Sequence, residues 1–135
     1  DVGHSGTDFR YRTARRLFEA SYLPHSISTD LNIYNVDDPV GSLPRTMSKI
    51  WALGVDLPAV VAMATTGPAA SIGRQDELGS LAVGRSAEVS VLRIEDGPVE
   101  LSDGHETITA DRQLVPVGCV RAGRFPCSRS RRRIW

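Results

Sequence analysis

The sequence predicts an α/β chain in two parts: a helical part with a single strand over residues 1–73, then a β-rich part over 74–125. Three observations carry this. Apolar residues recur at helical spacing through 9–22 and again through 43–72. One short alternating stretch, "HSISTDLN", stands between those segments. After Gly73 the texture changes to glycines at 79 and 84 followed by alternation.

Residues 1–8, with Gly3 and Gly6, read as a loop. Phe9, Ala14, Leu17, Phe18 and Tyr22 form one apolar stripe, so a helix is expected over 9–22, ended by Leu23-Pro24. In 26–30, Ile27 and Thr29 share one strand face and Ser26 and Ser28 the other. Residues 31–42 are rich in turn formers. A second helix follows, with Ser42 as N-cap, Pro44 in the first turn, Met47, Ile50, Trp51 and Leu53 as its stripe, and Gly54 as its stop. Asp56 caps a third helix that contains Val60, Val61 and Met63. "TTGP" is expected to break it at Gly67, with Pro68 opening a short helical turn to Ile72. Beyond Gly79, three strand-like stretches are expected: the alternating run to Ile94, "HETITA", and "LVPVGCVRAG". The last residues, 126–135, read as a basic, disordered tail.

Composition bounds the function classes. With 24% charged and 41% hydrophobic residues among 135, the chain is globular and long enough for one ordinary domain. Its formal net charge is zero, so no whole-chain field draws it to nucleic acid. The arginine run at 129–133 stands alone and reads as a solvated tail. No apolar run approaches the ~20 residues of a membrane span. Cys119 and Cys127 suggest neither a disulfide framework nor a zinc site, and a reducing, cytoplasmic setting is expected.

The segments "DVGHSG", "SISTDLN", "TMSKIWALGVDLPAVVAMATTGPAASIG" and "GSLAVGRSAEVSVL" together resemble, in this order, the end of amidohydrolase-superfamily enzymes, in the dihydroorotase-like and deacetylase branch. The resemblance spans residues 1 to about 124, with Glu88 where the family motif has Asp. It implies the C-terminal portion of a (β/α)₈ barrel: the tip of strand seven at 1–3, helix seven at 9–22, strand eight at 26–30 and closing helices over 43–73. Residues 79–124 would then be part of a small β-sandwich completed by the other chain end.

The resemblance further implies a hydrolase of amide, cyclic amide or ester bonds that acts through a hydroxide on a divalent metal, zinc being the implied ion. Asp30 matches the carboxylate that ends strand eight, binds the metal and shuttles a proton. His4, at the mouth end of strand seven, and Asn32 and Tyr34, on the loop after Asp30, are candidates for contact with a small-molecule substrate. His25 lies about 16 Å from Asp30 along an extended strand and reads as structural. His105 reads as a surface residue, and Asp37-Asp38 before Pro39 as turn chemistry.

The family's HxH pair, carboxylated lysine and two further metal histidines have no counterpart here, and one carboxylate cannot hold a catalytic zinc. The chain is therefore expected to be a fragment lacking an N-terminal part, aggregation-prone and inactive alone. A subunit completed by a partner chain, a homo-oligomer, and an unrelated α+β binding domain are the other readings.

Overall fold

A computed structural model describes residues 1–4, 8–33, 35 and 41–125. Four helices precede a long β-hairpin: α1 (Tyr11–Glu19), α2 (Leu43–Ala52), α3 (Leu57–Ala64), α4 (Thr66–Ser71), β1 (Val89–Ser102) and β2 (Thr107–Val120).

Helix α1 buries Tyr11 and Ala14. It stops three residues before the sequence stripe does, and its end explains why. Ser21 adopts φ +60°, its N–H donates to the Phe18 carbonyl at 2.9 Å, and the Tyr22 N–H donates to the Leu17 carbonyl at 2.8 Å. This is a Schellman ending, which satisfies the last carbonyls while bringing residue 22 back toward residue 17. Tyr22 thus keeps helical spacing without being helical.

The expected caps of α2 and α3 form. Ser42 Oγ accepts from the Arg45 N–H at 3.3 Å and Asp56 Oδ2 from the Ala59 N–H at 3.4 Å. Gly54 takes φ +94° just past α2, where a glycine is least strained. The expected break at Gly67 is displaced. The chain bends at Thr65 (φ −134°, ψ −82°), and Gly67 lies inside α4. A Cβ at Gly67 would sit 2.2 Å from the His25 carbonyl oxygen, so this glycine permits a close approach of helix to strand segment.

The segment expected as a strand at 26–30 is reduced to a single parallel bridge, Val2 with Ile27. The Val2 N–H donates to Ser26 O, the Ser28 N–H to Val2 O, and the Ile27 N–H to Met63 O, all at 3.0 Å. Ile27 joins Phe9, Tyr11, Met47, Ile50, Val60 and Met63 in the core.

The three expected β stretches are two strands. β1 and β2 pair antiparallel along nearly their full length, with irregularities between Val91 and Leu92 and between Asp96 and Val99. At the second, β1 advances three residues while β2 advances two, so the inward positions on β1 change from even to odd numbers. The alternation breaks there, although the strand continues through Gly97-Pro98. Pro116 sits at the other bulge, where the ladder tolerates a missing N–H.

The hairpin packs on α2. Ser48 Oγ donates to the Pro44 carbonyl at 2.7 Å and accepts the Leu114 N–H at 2.9 Å. The Arg112 guanidinium lies 4.3 Å from the Trp51 ring centroid. Across its turn, Asp103 Oδ1 accepts the His105 and Glu106 N–H groups at 2.8 and 2.7 Å.

Candidate functional site

Asp30 ends the extended segment that begins at Ser26. Its backbone is left-handed, φ +48°, a region Asp and Asn enter at less cost than most residues. Two neighbours hold it there. The Asn35 and Asn32 side-chain amides donate to the Asp30 carbonyl at 2.9 and 3.3 Å. Asn35 Oδ1 in turn accepts the Asn32 N–H at 2.8 Å, and Asn35 is buried. The Asp30 side chain remains exposed, lying over Gly3, where an added Cβ would come within 3.2 Å of Asp30 Cβ.

The segment below Asp30 is fixed by Asp1, whose carboxylate oxygens accept the Ser26 and Ser28 hydroxyls at 2.9 and 2.6 Å. Ser26, Ser28 and Asp30 alternate onto one face, whereas Ile27 faces the helices.

His4 is placed differently from Asp30. Its ring is buried at 2% exposure and stacks on Phe9, with centroids 4.2 Å apart and planes 21° apart. Neither ring nitrogen meets a partner at normal hydrogen-bond geometry. Burial, and then the positive charge of the nearby Lys49, push its pKa down to about 4, while the Ser28 and Val2 backbone groups pull weakly the other way. The imidazole is therefore neutral near pH 7.

Asn32 is exposed beside Asp30. Tyr34, Asp37, Asp38 and the basic tail lie outside the described residues. His25 is exposed at the opposite end of the segment, with its carbonyl against Gly67. His105 is exposed in the hairpin turn. Among the described residues, no three His, Cys, Asp or Glu side chains converge to hold a metal ion. The described residues therefore do not fit a complete catalytic metal site, to which Asp30 could bring one ligand. No described helix is long and apolar enough to cross a membrane.

Two buried charged positions had no sequence signal. Lys49 is fully buried on α2, where an apolar stripe gives no cue for a cation. Asp103 Oδ2 accepts the Tyr11 N–H at 2.8 Å, 92 residues away in sequence. The "SDGHE" stretch signals a turn, but nothing local indicates what that turn touches.

No protein-family model matches the chain. Among curated proteins it is similar to a deacetylase of Agrobacterium fabrum, 33% identical over 114 residues, covering 84% of this chain and 28% of that protein. A deacetylase of Enterococcus faecalis is 29% identical over 127 residues, covering 93% of this chain and 34% of that protein. The chain thus spans about a third or less of the length of these relatives. Among solved structures it resembles an adenine deaminase, with a TM-score of 0.86 at 28% identity over 91% of this chain and 34% of the other. It also resembles a dihydroorotase, with a TM-score of 0.82 at 31% identity over 90% of this chain and 33% of the other. The two structures are amidohydrolase-superfamily members, and they and the deacetylases cover most of these 135 residues. By this shared sequence and fold, the chain belongs to the amidohydrolase superfamily and corresponds to its C-terminal part.

Proposed function

We propose that this chain contributes the proton-transferring carboxylate, Asp30, to a metal-dependent hydrolysis of an amide, cyclic amide or ester bond in a small molecule. The observation that carries the reading is the exposed Asp30 carboxylate at the end of a segment in parallel pairing with Val2, its backbone held by Asn35. Parallel pairing between neighbouring segments joined by a helix is what a β/α barrel requires. In this reading 1–3 and 26–30 are the ends of barrel strands seven and eight, and the hairpin is part of a small β domain. A divalent metal, zinc in this proposal, would supply Lewis-acid activation of water, with the rest of its ligands coming from other residues. Asp30 would accept a proton and return it to the leaving nitrogen or oxygen. Asn32 stands where it can touch a substrate bound over Asp30, and Tyr34 follows on the same loop. His4, buried and stacked on Phe9, does not reach a substrate bound over Asp30 in this reading.

Asp30→Asn in a zinc-loaded protein that also carries the residues supplying the remaining ligands tests this, with N-acetyl amino acids and cyclic amides as substrates. Turnover should fall by about 10²–10⁴-fold, the usual contribution of a positioned acid–base group, with the circular dichroism spectrum unchanged. Retained turnover would overturn the assignment.

A second reading keeps the fold and gives the catalytic centre to a partner chain. It is favoured by an open groove of about 410 Å³ along α1, lined by Val2, Phe9, Ala14, Leu17, Phe18 and Ile50 among others. Leu17 and Tyr22 lie exposed at its walls. Co-purification of a second polypeptide, with metal bound only in the complex, distinguishes it.

A further inference from the structure

We infer that Asp103, in the hairpin turn, is a positioning residue for the Asp30 end of the site. The inference rests on the reading of Asp30 as the working carboxylate.

Helix α1 begins without a cap of its own, since the Arg10 side chain makes no capping bond. The first helical N–H, that of Tyr11, is taken instead by Asp103 Oδ2 at 2.8 Å. An ionised acceptor at a helix N-terminus is favoured both by the free N–H and by the helix dipole. Asp103 is itself buried at 3% exposure, and its other oxygen closes the hairpin turn. Three further hydrogen bonds tie the same two elements. The Tyr11 hydroxyl donates to the Leu101 carbonyl at 3.0 Å, and Arg15 makes a bidentate pair with Glu106 at 3.1 and 2.7 Å.

From Tyr11 the contacts continue toward the site without a gap. The Tyr11 ring meets Phe9 edge-on, with centroids 5.4 Å apart, and Phe9 stacks on His4. His4 follows Gly3, which lies against the Asp30 side chain. In this stack Phe9 is held between the His4 and Tyr11 rings, so a shift of Tyr11 is passed to His4 through packed contacts. One carboxylate in the β-hairpin therefore sets where α1 starts, and the rings at that start back the segment that presents Asp30.

Amide hydrogen exchange in the full chain tests this without requiring turnover. In Asp103→Asn the retained carbonyl oxygen can still close the turn, but the charged cap on Tyr11 is lost. Amides of residues 26–33 should exchange about tenfold faster, while the β1–β2 ladder keeps its wild-type rates. Phe9→Leu cuts the stack and leaves the cap in place, so it should accelerate the same amides without loosening residues 103–106. If Asp103→Asn folds poorly, Asp103→Glu, which keeps a carboxylate but displaces it from the Tyr11 N–H, takes its place in the same measurement. Wild-type exchange at 26–33 in Phe9→Leu, or a loosening in Asp103→Asn confined to the turn and α1, overturns the inference. Turnover surviving in Asp30→Asn would overturn the catalytic reading while leaving the exchange result intact.

Discussion

Gly67→Ala sets two effects of known sign against each other. In an isolated helix, alanine gains about 1 kcal/mol over glycine. Here the new Cβ would meet the His25 carbonyl oxygen at 2.2 Å and that of Ala62 at 3.2 Å. The first contact lies about 1 Å inside normal separation, and its partner is backbone, which cannot swing aside as a side chain would. His25 also leads directly into Ser26 and Ile27, which are bonded to Val2 and Met63. Relief requires α4 to shift away from the segment, an overpacking cost at the upper end of about 1–3 kcal/mol. Subtracting the propensity gain leaves a net destabilisation of about 2 kcal/mol, or about 6–8 °C in Tm for a chain of this size. Thermal unfolding followed by circular dichroism reads this directly. Gly73→Ala is the control: its φ is +69° with open space around it, so only backbone strain of about 1 kcal/mol applies. A Gly67→Ala protein as stable as wild type, or more stable, would refute the close-approach reasoning and restore Gly67 as a simple helix breaker.

Two other measurements follow from the core. His4 has a folded pKa of about 4 against 6.5 when unfolded, so between those values the unfolded chain binds the extra proton. Its contribution should be constant above about pH 6.5, fall by up to about 3 kcal/mol as pH drops to 4, and level off below; urea titrations across that range should lose this slope in His4→Leu. Ser48→Ala leaves the buried Leu114 N–H without its 2.9 Å acceptor, so the midpoint in urea should fall by the equivalent of about 1–3 kcal/mol.

Local chemistry was readable where the responsible residues are neighbours in the chain. Ser42 and Asp56 cap, Pro44 opens, and Gly54 closes, because each acts on groups within four residues. Legibility failed where two distant backbones meet or where a strand changes phase. Gly67 was taken as a breaker because its partner, His25, is far away in sequence. The first strand was expected to run only to Ile94, because a bulge between Asp96 and Val99 inverts the alternation while the ladder continues. At the site, Asp30 was visible through the resemblance carried by its flanking segments. Asn35 lies in the 31–42 stretch expected as a loop, where it could line a substrate pocket; its bond to the Asp30 carbonyl had no signal in the sequence. Asp103 could not be found, since its cap is set by tertiary packing 92 residues from α1.

The left-handed backbone at position 30 also acts as a chemical filter. Glycine, asparagine and aspartate are the residues that occupy φ near +48° most cheaply. Glutamate would bring a longer reach and a larger conformational cost. Of the three well-tolerated residues, only aspartate carries a carboxylate. The turn that Asn32 and Asn35 impose therefore narrows the choice of residue before any substrate arrives. At that narrowed position, an acid–base role and the backbone geometry call for the same side chain.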